Sequence, residues 1–260
     1  MHPVLLQRGS FVLHSYSVVL LAAFVVAGLV RRAESQRLGY DAQPGYRWVS
    51  VGALLGALLG SKLGMLLYVE RSAWHAVLDE LWRLETSGKT VIGALLGGYL
   101  GVEIAKKLVG IRHSTGDAFA VAVPLSLGIG RIACVLGGCC YGTPSQQPWA
   151  IHLAGADRHP VQLYEAALDL ALAWAVFSAR STPGSRARGD AATLRQAREP
   201  GALWRLSLMG YAGIRLLLDP WRGDARVWLG PVSAVQMVCA LAICALWLVP
   251  RAMQTARSSG

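Results

Sequence analysis

Long apolar runs, separated by short clusters of charge, organise this chain. A stretch such as "FVLHSYSVVLLAAFVVAGLV", residues 11–30, has neither the alternation of a half-buried strand nor the polar stripe of a surface helix. About 20 mainly apolar residues carry a helix across a bilayer. By that measure the pattern predicts seven spans, near residues 11–30, 49–69, 90–108, 118–138, 161–179, 202–218 and 229–250. The expected fold is an all-α polytopic membrane protein, with residues 1–260 forming a single transmembrane helical domain. Arg31 and Arg32 follow the first run where a secretion signal would have a small-residue cleavage site, so the run is expected to be a retained anchor.

Three segments depart from plain hydropathy. In residues 70–89, Trp74, Val77, Leu78, Leu81 and Leu84 recur at helical spacing with acidic residues opposite. That predicts an extracytoplasmic amphipathic arm in the interface, or a short helix packed on the bundle. Residues 180–201 are rich in Arg, Ser, Gly and Pro and predict a loop touching anionic headgroups. In the third run Gly93, Gly97 and Gly101 lie four apart, a spacing that lets helices approach closely.

The 54% hydrophobic content adds little to this picture, but the net charge of +10 does. A basic chain invites a nucleic-acid reading, yet the basic residues follow the membrane sides. The loops after spans one, three and five and the C-terminal tail hold twice as many as the opposite side, which has Arg8, Arg71, Arg83, Lys89, Arg158, Arg222 and Arg226. The positive-inside rule then puts the N-terminus outside and the C-terminus in the cytoplasm. Basicity is an orientation signal, and no nucleic-acid partner is expected.

Ionisable groups at membrane depth are costly and mark candidate sites. Lys62, Glu103, Arg131, Glu165 and Arg215 stand within or beside the apolar runs. Glu103 lies three residues before Lys106, a spacing that suits an ion pair on one helix face. Arg131 and Arg215 have apolar neighbours, and a guanidinium keeps its charge while offering a planar fork to phosphate oxygens. Two of them facing one cavity would suit an anionic phospholipid head. In "DRHPVQLYEAALD", Pro160 opens a helix and is followed by Gln162, Tyr164 and Glu165. In "YAGIRLLLDPWRGD", Tyr211, Arg215, Asp219 and Arg222 share one face, with Asp219 placed to orient Arg215.

At these residues the chain resembles the prolipoprotein diacylglyceryl transferase family. "RHPVQLYEA", residues 158–166, is similar to the family's R-H-P-S-Q-L-Y-E-A, and "YAGIRLLLDPWR" to Y-G-x-x-R-F-x-x-E-x-x-R with Asp219 for glutamate. "HSYSVVL" places Tyr16 on a functional tyrosine, and "GSKLGMLLY" places Lys62 on an arginine. Two stretches depart. Ile92, in "TVIGALLG", stands where the family has histidine. "GRIACVLGGCCYG" keeps Gly130, Arg131, Gly138 and Gly142 of the signature but puts Cys134, Gly137 and Cys139 on its asparagines and glutamate.

The resemblance implies transfer of diacylglyceryl from phosphatidylglycerol to a cysteine thiol of a prolipoprotein, with glycerol phosphate leaving, in the bacterial cytoplasmic membrane. No cofactor or metal is implied. Such a transfer needs a thiolate, a carbon held in line and positive charge on the departing phosphate. The expected catalytic residues are Arg131, Arg215, Tyr16 and Cys139. Lys62, Gly138, His159, Gln162, Tyr164, Glu165, Tyr211, Asp219 and Arg222 are expected to bind substrate, and membrane lipids to surround the protein. Cys139 could itself take the lipid group first, while His159 or Glu165 could accept the thiol proton.

Other readings share these residues. The acceptor could be a different thiol or a hydroxyl, or the protein could bind lipid without catalysis. A thiol redox or metal-handling role is weakened by "CVLGGCC", which lacks C-x-x-C spacing. Cys239 and Cys244 lie within the last apolar run and are expected to pack there.

Overall fold

A computed structural model describes residues 4–8, 11–67, 75, 78, 90–180, 200–223, 227–229 and 232–258. Among them two short strands, β1 (Val4–Arg8) and β2 (Phe11–His14), precede the helices α1 (Ser15–Arg37), α2 (Tyr46–Leu63), α3 (Val91–Val109) and α4 (Ala122–Gly137). The hairpin β3 (Ile151–Leu153) and β4 (Ala156–Arg158) leads into α5 (Val161–Ala179) and α6 (Ala202–Leu218). A last hairpin, β5 (Val227–Leu229) and β6 (Val232–Ser233), precedes α7 (Ala234–Ser258). Most of the two segments expected to form the arm and the Arg-rich loop, 70–89 and 180–201, lies outside the described residues.

The protein is a mostly helical membrane protein. Four stretches, Ser15–Arg37, Tyr46–Leu66, Gly116–Gly137 and Val161–Ala179, are long and apolar enough to cross a membrane. α3 carries Glu103, Lys106 and Lys107, α6 has 17 residues, and the apolar part of α7 is Ala234–Leu248, which is why these three fall short by length or charge. α1 begins four residues later than the apolar run. Phe11–His14 pairs antiparallel with β1 instead, with Arg8 opposite Phe11.

The chain divides into two compact units, one made of Met1–Glu34, Ser114–Ala225 and Gln236–Gly260, the other of Ser35–His113 and Arg226–Val235. The second unit is built on α2 against α3. Gly52, Gly56 and Gly60 of α2 meet Gly101, Gly97 and Gly93 of α3 so closely that a Cβ added at Gly97 would stand 2.2 Å from the Gly56 carbonyl oxygen. Backbone-to-backbone approach of this kind is how helices pack in lipid, where apolar side chains gain nothing by leaving the solvent. Thr90 caps α3 by accepting from the Gly93 N–H at 3.2 Å, and its own N–H donates to Ser61 at 2.9 Å. Lys106 pairs with Glu103 at 2.9 Å, as their spacing predicts.

This packing yields a direct test. Gly97→Ala raises helix propensity yet is expected to lower stability by about 1–3 kcal/mol, the usual cost of overpacking. Gly98→Ala, whose Cβ would lie an ordinary 3.4 Å from its nearest neighbour, is expected to be neutral or stabilising. Thermal unfolding in detergent compares the two, and equal effects would contradict the close-approach account.

In the first unit, Ala120, Val121, Val176 and Leu203 form a buried cluster with Val30, Leu172 and Trp204 against it. Asp117 holds the start of α6, accepting from the Gly201 N–H at 2.7 Å and the Trp204 N–H at 3.0 Å. Arg180, just past α5, pairs with the buried Glu34 near the end of α1. That pairing helps explain why α1 continues beyond Arg31 and Arg32.

Candidate functional site

The site forms where the ends of α4, α5 and α6 meet within the first unit. α4 stops because Gly138 takes a left-handed conformation (φ 68°), its N–H donating to Val135 at 3.3 Å and that of Cys139 to Cys134 at 3.1 Å. This is a Schellman cap, which needs glycine at its turn. It folds Cys139 and Cys140 back onto the last turn of α4. The loop beyond is tied down by its backbone: Thr143 donates to Trp221 at 2.8 Å, Gly223 to Tyr141 at 3.0 Å and His159 to Thr143 at 3.0 Å.

α5 then begins at Val161 after Pro160, and Gln162 donates through Nε2 to the Cys139 carbonyl at 2.9 Å. One turn on, Glu165 is 1% exposed and gathers three cations. Arg131 of α4 pairs through Nε with Oε2, while Arg215 of α6 reaches Oε1 at 2.7 Å and Arg222 reaches the same oxygen at 2.9 Å. Arg215 also donates to Asp219 at 3.1 Å, the i, i+4 contact its spacing predicts. The guanidiniums expected from α4 and α6 thus converge on one carboxylate, joined by a third.

Three cations against Glu165 and Asp219 leave a positive surplus before Asp169 is counted. Arg131 has no acceptor for its Nη nitrogens among the described residues, although it is largely buried. Among the described residues, Asp169, one turn beyond Glu165 and 1% exposed, has an Oδ1 without a hydrogen-bond partner. The Tyr211 hydroxyl, Gln162 Oε1 and Arg215 Nε also lack one, and Glu165 Oε2 is held by its ion pair with Arg131 alone. Unpaired buried polar atoms cost about 1–3 kcal/mol each, so each of these calls for a partner such as water, an ion or another molecule. Asp169 escaped the sequence reading. Its signal was an acid in the apolar run "EAALDLAL", four residues after Glu165 and therefore on the same face.

At the entrance to α5, the Tyr164 hydroxyl accepts from Trp149 Nε1 at 2.7 Å, and the His159 ring lies 6.4 Å from Tyr164 and 6.5 Å from Trp221. Tyr16, in the first turn of α1, is 36% exposed and faces the end of α4, where a Cβ at Gly137 would meet its ring at 3.2 Å. The thiols of Cys134, Cys139 and Cys140 come within 4.8 Å of one another. Hydrogen bonds from Cys134 and Cys139, aided by Arg131 and Arg222 and opposed by burial, hold the Cys140 thiol below its ordinary range. Lys62 and Ile92 are buried in the other unit, near the ends of α2 and α3.

The family model for prolipoprotein diacylglyceryl transferase matches residues 3–250. The chain belongs to that family. Among its relatives, the phosphatidylglycerol–prolipoprotein diacylglyceryl transferases of Rhodospirillum centenum and Gluconacetobacter diazotrophicus are each 30% identical, covering 96% of this chain and 91% and 90% of their own lengths. The enzyme of that name from Bordetella avium is 29% identical over 84% of this chain and 80% of its own. Family membership therefore extends over nearly the whole chain, and the cysteines lie within the matched region.

Proposed function

We propose that this protein transfers the diacylglyceryl group of phosphatidylglycerol to the cysteine thiol of a prolipoprotein, as the names of its relatives describe. The observation that carries the reading is the group of three buried arginines around Glu165. The phosphate of the lipid head sits against Arg131 and Arg215, with the unpaired Nη groups of Arg131 turned to its oxygens. As the thiolate forms its bond to the terminal glycerol carbon, the bond from that carbon to the phosphate oxygen breaks. Glycerol phosphate departs with the electron pair, and the guanidiniums stabilise its growing charge.

Glu165 does not react; it holds the arginine heads in place. Asp219 fixes Arg215 from the other side, and Arg222 adds to the field. Tyr16 donates to a glycerol or phosphate oxygen, while Tyr211, Gln162, Tyr164 and Gly138 shape the lipid pocket. With both Glu165 oxygens committed to arginines, the released thiol proton passes to His159. Cys139 lies on the acceptor side, grouped with Cys134 and Cys140 to handle the incoming thiol.

In this reading the three remaining helices complete seven spans, the N-terminus is outside, and the C-terminus is in the cytoplasm of a bacterium whose inner membrane holds the protein. The amphipathic arm at 70–89 lies on the outer face and the Arg-rich loop at 180–201 on the inner.

Purified protein given labelled phosphatidylglycerol and a precursor peptide tests the reading. Labelled peptide together with released glycerol phosphate is expected. Lipid cleavage without labelled peptide would point to another acceptor, and binding without cleavage would overturn the enzymatic reading.

A further inference from the structure

We infer that Cys134, Cys139 and Cys140 form a zinc site with one open position, at which the thiol of the acceptor cysteine binds before transfer. The inference rests on the transferase reading and adds to it the means by which the acceptor is activated.

Geometry supplies the first argument. The three sulfurs lie within 4.8 Å of one another, and all three thiols are free. Zinc bound by thiolates at about 2.3 Å sets its sulfurs roughly 4 Å apart, so the cluster needs little adjustment to close on an ion. Neighbouring side chains on an extended backbone point to opposite sides, which would separate Cys139 from Cys140. Cys140 instead has φ 56°, one of two non-glycine residues in the described part of the chain with positive φ. That left-handed conformation costs a residue with a side chain about 1–2 kcal/mol. Here it is what allows adjacent thiols to converge with Cys134, which the Gly138 cap brings alongside.

The donor set decides the ion and its chemistry. Three sulfurs and no other grouped metal-binding side chain among the described residues make an incomplete shell for a structural zinc, which takes four protein ligands. Three protein ligands and an open position are the arrangement of a reactive site. A cysteine thiol arriving at that position would be bound as its thiolate, releasing its proton to water or to His159. Four thiolates on zinc carry a net charge of two minus. Arg131, three residues before Cys134 and so on the same face of α4, lies beside them.

The same arginine belongs to the cluster proposed to hold the lipid phosphate, so nucleophile and leaving group meet at one helix end. The new C–S bond forms as the C–O bond to phosphate breaks. The product thioether is a weaker ligand than a thiolate and dissociates. A metal-bound thiolate makes a dedicated base dispensable.

The test uses full-length protein purified under reducing conditions. Elemental analysis is expected to find zinc at one equivalent per chain, and Cys134→Ser or Cys140→Ser is expected to lose it. Exchange for cobalt(II) is expected to give thiolate-to-cobalt absorption bands that shift when a precursor peptide is added. A peptide with serine for the acceptor cysteine is expected to leave them unchanged. A chelator is expected to reduce transfer at least 100-fold, with zinc restoring it. Full transfer by metal-free protein would overturn the inference while leaving the transferase reading intact. Loss of transfer in zinc-loaded protein whose cobalt spectrum still responds to peptide would count against the transferase reading alone. Copper in place of zinc, a disulfide among the three cysteines of the reduced protein, or a spectrum indifferent to peptide would also overturn the inference.

Discussion

Glu165→Ala is expected to destabilise the protein by about 3–5 kcal/mol and to abolish transfer, because it leaves three buried guanidiniums without their shared partner. The loss exceeds that of an ordinary ion pair for a structural reason. Arg131, Arg215 and Arg222 come from α4, α6 and the segment after α6, and all three meet on this carboxylate. Glu165→Gln keeps the shape but replaces one acceptor oxygen with an amide that can only donate, facing groups that also only donate. It is therefore expected to fail in transfer almost as completely. Leu163→Ala, two residues away and 45% exposed, should leave stability and transfer near the starting values. Thermal unfolding in detergent and labelled-lipid transfer measure both effects. Glu165→Ala unfolding at the parent temperature would refute the account of the cluster.

How far the sequence revealed this cluster depends on which residue is considered. Arg131 and Arg215 were visible because charge inside an apolar run has few bland explanations. Arg222 counts among the basic residues that set orientation and also shares a face with Tyr211, Arg215 and Asp219 as an expected substrate binder; its burial to 6% exposure and its bond to Glu165 were not legible from either reading. Nothing in linear spacing says that one carboxylate serves three cations from separate elements. That is a through-space fact. The three thiols illustrate the same limit, because their grouping depends on the Gly138 cap and the Cys140 backbone rather than on any spacing motif.

The helices follow a similar division. α5 and α6 match the apolar runs at 161–179 and 202–218, since Pro160 and Gly201 punctuate their starts. The start of α1 was hidden because strand residues Phe11–His14 continue directly into the apolar helix, and hydropathy cannot divide a strand from a helix within one run. The glycine ladder was half legible. Gly93, Gly97 and Gly101 stood out, while their partners in "GALLGALLG" of α2 have the same four-residue spacing and went unread.

Arg131→Lys separates the catalytic part of this account from the structural part. Lysine keeps a positive charge for Glu165, so folding should largely survive, but it loses the planar fork whose Nη groups have no acceptor among the described residues. If those groups stabilise the departing phosphate, removing them resembles loss of an oxyanion donor and should slow transfer by roughly 100- to 1,000-fold. The unfolding temperature should change little. Arg131→Ala is expected to lose both transfer and stability, since Glu165 then gives up one of its partners. Arg215→Lys is predicted to be worse for folding than Arg131→Lys, because Arg215 spans Glu165 and Asp219 at once and a single ammonium cannot reproduce that bridge. Labelled-lipid transfer run beside thermal unfolding distinguishes the two roles. Unchanged transfer in Arg131→Ala would remove this arginine from the chemistry and, with it, the reason for placing the lipid phosphate at the end of α4.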